Sequence, residues 1–503
     1  TWITKNSLPS RIDIPFVTML INLLIIFSIA VLLVALSRKR TYVHFFAQLF
    51  FAGQGTAAIW TVLHGGATEL TYFTFDPLGT TYYGLMALVG WICCWQSVRY
   101  LDRESLRESK IYLVSFMALN LALTGVYLSN NITVTWIFLE ATTLAAAGLT
   151  YHRRTLRSLE ATWKYIFISS VGIAVAYLGV LLLSTVTSAA AMAATAGAAG
   201  ETTEAMADLS YAGLAQAVAA GAGNTLYIKL AFLFILVGYS SKVEIFPFCT
   251  VGVDANHSAP TPASAFISSA LVGGGFVAVF RVWKAIQGSA EVAAWSGHVL
   301  LLFGGLSLLM AAVYLGRTKN LKRLAAYSTV ENSGLMMLGL GIGGWGVWAA
   351  VLHSLAHTLI KGSFLLQISV VGKMYGNYKV TRNGGYFRAD PLGALVMVCC
   401  LLALIAMPPS VLFRTEYLIF TGLLSGGLWW IFVPVALLLV AVIYWLCAKI
   451  LPLLSRPADL EQIDREGRNP WLSAVLLLLV VVTFAAGVWQ APELGALIDK
   501  IVY

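Results

Sequence analysis

The sequence predicts an all-α polytopic membrane protein of about fourteen transmembrane helices. Three observations carry that expectation. Only 11% of the 503 residues are charged, against about a quarter in soluble proteins. Hydrophobic residues make up 59% of the chain, and the mean hydropathy is +0.81. Apolar runs long enough to cross about 30 Å of hydrocarbon follow one another from end to end.

Those runs lie near 14–36, 42–63, 77–98, 111–129, 132–150, 165–186, 225–246, 262–283, 297–316, 325–343, 346–371, 392–420, 427–450 and 472–491. Basic residues recur in every second connection, in segments 37–40, 99–110, 152–164, 317–323, 373–388 and 449–468, which hold more than two thirds of the 32 Lys and Arg. By the positive-inside rule these connections face the cytoplasm, and both termini face the far side of a cell inner (plasma) membrane. The net charge of +9 is then a mark of orientation, and nucleic-acid binding falls away. The one long opposite-side connection, 187–223, is rich in Ala and Gly and carries Glu201, Glu204 and Asp208 without a base. It reads as flexible or interfacial helical structure rather than a domain.

No soluble catalytic domain is left over, so any chemistry has to happen inside or along the membrane. Six cysteines (Cys93, Cys94, Cys249, Cys399, Cys400, Cys447) form no C-x-x-C and sit mostly in apolar runs. That spacing argues against iron–sulfur or other metal ligation and implies no disulfide framework, so no cofactor is expected.

Once the loops are set aside, Glu140, Lys229, Lys242, Glu244, Glu331, His353, His357, Lys361, Arg414 and Glu416 remain within spans. Each needs a partner, water or a purpose, because a charge in lipid is costly. Lys229 and Glu331 lie close to expected span ends, where snorkelling to the interface is an equal reading. Glu140, in "TWIFLEATTLAAAGL", has apolar residues on both sides.

"HSLAHTLIK" is the most informative local pattern. His353, His357 and Lys361 recur every fourth residue, so each step turns only about 40° around a helix and rises about 6 Å. They form a slanting polar ridge suited to a file of protons or water, since imidazole exchanges protons near neutral pH. The two histidines also have a metal-ligand spacing, but no third ligand is evident and Lys361 would repel a cation. Hydrogen bonding between helices is the structural alternative.

Two spans contain helix breakers close to a charge: "KVEIFP", with Lys242 ahead of Pro247, and "MPPSVLFRTEY", with Pro408 and Pro409 ahead of Arg414 and Glu416. Discontinuous helices at corresponding places in two halves point to an inverted-repeat transporter with its sites at the breaks. A lysine and a carboxylate about 4 Å apart there would interact by about 4 kcal/mol at an effective dielectric near 20. Opening or closing one such pair could drive a proton on or off the lysine.

Several stretches carry a family likeness: "WIFLEATTL", "LEATWKYIFISSVGIA", "KVEIFPF…DA…APTPASA", "RTKNLKRLAAYSTVENSGLMMLGLG", "HSLAHTLIKGSFLLQ" and "MPPSVLFRTEY". In order and spacing the chain resembles the antiporter-like proton-translocating subunits shared by respiratory complex I, Mrp-type antiporters and membrane-bound hydrogenases. The "YSTVENSG" form is most similar to the hydrogenase-4 and formate hydrogenlyase branch. The resemblance implies two inverted five-helix repeats, each with a broken helix. The expected divisions are 1–110, 111–283, 284–450 and 451–503. It implies that Glu140 and Lys242 pair, that His353, His357 and Lys361 form a central axis, and that Glu416 is the exit residue. Further candidates are Lys229, Glu244, Asp254, His257 and Glu331.

Three departures stand out from that likeness. The family usually shows "FPLHTWLPDAHSEAPTP" where this chain reads "FPFCTVGVDANHSAPTP", and Glu244 stands where a small or apolar residue is usual. Gly273 occupies the place of a bridging Lys, His or Asn, so the link from Lys242 to the central axis lacks its usual member. Water against the Gly273–Gly275 backbone is one substitute, and a half that does not conduct is the other reading.

The expected function is therefore proton translocation as a membrane subunit of a redox-driven complex. Its expected partners are other membrane subunits, a peripheral arm carrying the metal centres, the lipid bilayer and H⁺ or Na⁺. The rivals are a cation/proton antiporter subunit, the membrane partner of an inorganic-carbon uptake system, and a non-conducting scaffold.

Overall fold

The computed structural model describes residues 18–196, 208–381, 383–457, 463–489 and 491–503. Most helices start where a short polar side chain can accept from the orphan amides of a first turn. Asp76 accepts from Gly79 N, Asn131 from Thr133 N and Val134 N, Asn320 from Lys322 N, and Ser410 from Phe413 N. Ser105 and Glu108 form a reciprocal capping box.

The first helices are α1 (Met19–Leu36), α2 (Arg40–Leu63), α3 (Pro77–Tyr100), α4 (Leu106–Leu128), α5 (Ile132–Thr150), α6 (Leu156–Ala196), α7 (Tyr211–Ala219) and α8 (Thr225–Val243). Next come α9 (Cys249–Ser258), α10 (Thr261–Phe266), a single π-type turn (Ile267–Leu271) and α11 (Val272–Ala285). The second half holds α12 (Ala290–Arg317), α13 (Leu321–Ile342), α14 (Trp345–Tyr375), the short α15 (Tyr386–Ala389), α16 (Pro391–Leu404), α17 (Val411–Ser425) and α18 (Trp429–Ser455). The chain closes with α19 (Pro470–Val488) and α20 (Pro492–Val502), and one small hairpin pairs Thr68–Glu69 with Phe73–Thr74.

Within the described residues each expected span coincides mainly with helix, residues 14–17 of the first lying outside them, and twelve helices are long and apolar enough to cross a membrane. The two exceptions have physical reasons. The helix α13 has the length but carries Lys322, Arg323 and Glu331. Region 392–420, read as one span, is two helices, α16 and α17, parted at Met407–Pro409. The expected 165–186 span sits inside α6, whose 41 residues extend about 60 Å. Of the long connection 187–223, α6 takes residues up to Ala196 and α7 spans Tyr211–Ala219, while Glu201 and Glu204 lie outside the described residues.

Helices in lipid gain little from the hydrophobic effect and associate through small residues that let backbones approach. α6 meets α8 in this way at Gly172 and Gly238, where a Cβ on Gly238 would stand 2.4 Å from the Gly172 carbonyl. α12 meets α13 likewise at Gly304 and Gly334, with 2.9 Å between a Gly334 Cβ and the Gly304 carbonyl.

The six basic connections gather at one end. Arg40 donates to Leu101 O at 2.8 Å, Arg153 to Tyr100 Oη at 2.6 Å, Arg99 to Arg468 O at 2.9 Å, Arg456 to Thr381 O at 2.7 Å and Lys449 to Gly316 O at 2.9 Å. At the other end Arg281 ties α11 to the α4 terminus, donating to Asp76 Oδ1 at 2.6 Å and to the carbonyls of Ser129 and Tyr127 at 2.6 and 2.7 Å.

Both helix breaks share one local form. α8 stops at a left-handed residue, Glu244 (φ 58°), three positions ahead of Pro247, whose bond to Phe246 is cis. α16 stops near a left-handed residue, Ala406 (φ 49°), three positions ahead of Pro409, whose bond to Pro408 is cis.

Candidate functional site

The ionisable side chains that sequence reading places inside spans are joined by neutral polar groups from neighbouring helices. On the first-half side, α5 presents Glu140 and α8 presents Lys242, which is buried with 1% of its surface exposed. The Lys242 ammonium donates to Thr143 Oγ1 at 2.8 Å and to Tyr165 Oη at 3.1 Å. The Thr143 hydroxyl lies 3.3 Å from Glu140 Oε2, and Ser170 donates to Glu140 Oε1 at 2.7 Å. Among the described residues no direct ion pair joins Glu140 to Lys242; Thr143, one helical turn beyond Glu140, bridges them.

The second-half cluster is built by α13, α14 and α17. Lys361 donates to Ala325 O at 3.0 Å and bonds the Ser328 hydroxyl. It interacts electrostatically with Glu331 and with Glu244. One turn of α13 past Ser328, Asn332 uses its amide hydrogens on Glu331 Oε2 at 2.6 Å and Ser328 O at 2.7 Å. Its carbonyl oxygen is therefore left to accept, and His353 Nε2 stands 3.1 Å away as the donor. His353 Nδ1 faces Thr415 Oγ1 at 2.8 Å, and the same hydroxyl has Leu412 O within 2.9 Å.

That last arrangement suits both states of the imidazole. When His353 is neutral, the Thr415 hydroxyl donates to Nδ1. When His353 is charged, Nδ1–H donates to Thr415, whose own hydrogen turns to Leu412 O. A proton can thus arrive and leave with no buried donor or acceptor stranded. Glu416, beside Thr415, is half-buried and within electrostatic range of Glu331. His357 is buried between Lys361 and His353, and its Nε2 makes no hydrogen bond among the described residues. Arg414 lies against the Trp348 ring at 5.7 Å.

Chains of polar and ionisable side chains inside hydrocarbon-facing bundles mark ion or proton routes. The residues matching the family model described as "NADH:quinone oxidoreductase/Mrp antiporter, TM" are 129–442, which contain every group just described. The chain belongs to this family. Proton translocation is characteristic of the family, and its members are antiporter-like membrane subunits of complex I, hydrogenase and Mrp complexes. The chain is 30% identical to a hydrogenase-4 component F homolog of Methylacidiphilum infernorum over 84% of its own length and 86% of the relative's. It is 26% identical to NADH-quinone oxidoreductase subunit N 1 of Sorangium cellulosum, over 88% and 85% of the two chains. A chain of the membrane-bound sulfane sulfur reductase, an archaeal respiratory membrane complex, has the same fold, with a TM-score of 0.82 at 23% identity and 96% coverage of both.

In this antiporter-like subunit the remaining candidates stand apart from the two clusters. Lys229 is ion-paired to the exposed Glu291 at the start of α12. Asp254 pairs with Arg323 at 2.8 Å, both partly exposed. His257 sits in the last turn of α9 beside Lys322, which donates to the His257 carbonyl at 2.9 Å. Gly273 points its missing side chain at Tyr127 and Tyr82, with Tyr127 Oη 3.1 Å from where a Cβ would stand. Sequence reasoning missed Thr143, Tyr165, Ser170, Ser328, Asn332 and Thr415. Two of them bear a helical signal: Thr143 and Ser328 lie three residues from Glu140 and Glu331.

Proposed function

We propose that this chain is the proton-translocating membrane subunit of a multi-subunit, redox-driven complex of the hydrogenase or complex I type, set in the inner (plasma) membrane. Its basic end faces the cytoplasm, as the positive-inside rule requires of clustered Lys and Arg. A peripheral arm holding the metal centres supplies the energy; relatives named as a hydrogenase-4 component and an NADH-quinone oxidoreductase subunit support a redox-driven complex.

The observation that carries the reading is the pair of relays. Lys242 reaches Glu140 through Thr143, at 2.8 and 3.3 Å. Glu331 reaches His353 through Asn332, at 2.6 and 3.1 Å. Each sets an ionisable donor and acceptor one neutral group apart. The Thr143 hydroxyl can accept a proton on one side and release its own on the other, so a proton there moves by short hops rather than as a bare charge in a low-dielectric interior. The Asn332 amide instead holds Glu331 and His353 in one oriented hydrogen-bonded chain. A change in Lys242's distance from Glu140 alters how well the ammonium is stabilised and thereby loads or unloads a proton. Lys361, which interacts electrostatically with both Glu331 and Glu244, passes the charge change on.

The test is coupled proton pumping in membrane vesicles holding the chain with its co-purifying subunits. Lys242→Ala and Glu140→Gln should each abolish pumping while electron transfer by the metal subunits persists in part. Pumping at the unmodified rate in both variants would sink the assignment. Co-purification with metal-free subunits only would redirect it to a cation/proton antiporter.

A further inference from the structure

Gly273 leaves open how a proton would cross from the Lys242 cluster to the Lys361 cluster, and the helix break between them supplies a group. Glu244 is the left-handed residue at the end of α8, with φ 58° and ψ 44°. That conformation is uncommon for any residue with a Cβ. The corresponding left-handed position of the second break is Ala406, so the turn itself has no need of a carboxylate. Yet Glu244 is 2% exposed, among the most deeply placed acids of the chain.

Its surroundings hold it half-satisfied. Asn256, on α9, donates to Glu244 Oε1 at 2.6 Å. Glu244 Oε2 is buried with no hydrogen-bond partner among the described residues, and so is Asn256 Oδ1. An unpaired carboxylate oxygen in such a place costs more than a neutral group would. The space is shaped to the side chain: a Cβ on Gly252 would stand 2.7 Å from Glu244 Cγ. Two residues of the flanking clusters lie within electrostatic range of Glu244: Tyr165, which accepts from Lys242 at 3.1 Å, and Lys361.

Resting on the proton-conducting reading above, we propose that Glu244 is a proton carrier linking the two clusters, taking the place of a bridge at Gly273. A proton leaves the Lys242 ammonium, which becomes a neutral amine, and is taken up by the Glu244 carboxylate, which becomes a carboxylic acid. The acid then gives the proton to neutral Lys361, which becomes an ammonium, and the carboxylate is restored. The Asn256 bond keeps one oxygen fixed while the free oxygen receives and releases the proton. Charge is conserved at each hop, and no other reactant is needed.

The test uses the chain with its co-purifying subunits in liposomes, with proton flux driven by a potassium-diffusion potential and read by an entrapped pH-sensitive dye. Glu244→Gln keeps the volume and the acceptor for Asn256 but cannot carry a proton, and it should lower flux at least about tenfold. Glu244→Asp should recover part of that flux. Infrared difference spectra on changing the potential should contain a carboxylic-acid C=O band that is lost in Glu244→Gln and shifted in Glu244→Asp. Wild-type flux in Glu244→Gln, or an unaltered band in both variants, would overturn the proposal while leaving the Lys242 reading intact. Wild-type flux in Lys242→Ala would instead remove the reading on which it rests. Should Glu244→Gln fail to accumulate, the flux and band of Glu244→Asp decide.

Discussion

Lys242 meets Glu140 through a hydroxyl: its ammonium donates to Thr143 Oγ1 at 2.8 Å, and that oxygen lies 3.3 Å from the Glu140 carboxylate. A neutral group between two opposite charges weakens their direct attraction and gives the proton a place to pass. Asn332 also stands between two ionisable groups, Glu331 and His353, but as an amide that orients them in one hydrogen-bonded chain.

Thr143 is therefore expected to matter by its hydroxyl and not by its bulk. Thr143→Val, nearly the same shape, should slow proton flux at least about tenfold, whereas Thr143→Ser should stay close to wild type. The loss of an acceptor for buried Lys242 should also destabilise the chain by about 1–3 kcal/mol, measurable as a lowered unfolding midpoint in detergent. Equal flux in Thr143→Val and wild type would show that the bridge is only structural.

Asn332 and His353 should be energetically coupled. A double-mutant cycle on Asn332→Ala and His353→Ala should return an interaction of about 0.5–3 kcal/mol in unfolding free energy. Strict additivity would mean that the 3.1 Å contact contributes nothing. Thr415→Val, which removes the hydroxyl facing Nδ1, should slow flux by making the charged imidazole lose its acceptor.

The crossing of α6 and α8 positions Tyr165 against Lys242 and depends on bare backbone. A methyl at Gly238 would sit 2.4 Å from Gly172 O and 2.8 Å from Ala176 N, contacts that force the helices apart. Gly238→Ala should cost about 1–3 kcal/mol and slow flux by lengthening the 3.1 Å Lys242–Tyr165 contact. Gly84→Ala, where a Cβ meets nothing within 4 Å, is the control and should be silent.

At the basic end, His152 lies in the connection after α5, buried, with no hydrogen bond to Nε2 among the described residues. Burial pushes its imidazole down to about 4, with Arg153 and Arg154 adding to the effect and Glu108 opposing it. Folded His152 is thus neutral where the unfolded residue takes a proton, so stability is complete above about pH 6.5 and falls as pH drops toward 4. The loss over that window should be on the order of 3 kcal/mol. Unfolding midpoints at pH 7.5 and 5 should differ less in His152→Gln, and an unchanged pH dependence would exclude this group as its source.

Much of this molecule is legible from residue order alone. Hydropathy located the twelve helices that are long and apolar enough to cross a membrane among the described residues, because a helix must hide its backbone from lipid over a set length. The breaks at Pro247 and Pro409 and the ridge of His353, His357 and Lys361 follow from local geometry, proline's constraints and the four-residue step of a helix. Charged residues inside apolar runs announce themselves, because burying them needs a reason.

The tertiary structure decided which of those charges act together. Lys229 reads like Lys242 in sequence, yet it is spent on exposed Glu291, 62 residues away. Thr143, Tyr165, Asn332 and Thr415 look like ordinary polar residues of apolar helices until neighbouring helices bring them to a charge. The physical reason is range: hydropathy and helical period act within one segment, whereas a hydrogen bond near 3 Å between α14 and α13, or α8 and α5, exists only after whole helices have packed. Glu244 joins both lessons, since its charge is visible in the sequence and its burial within electrostatic range of both Tyr165 and Lys361 is visible only in the fold.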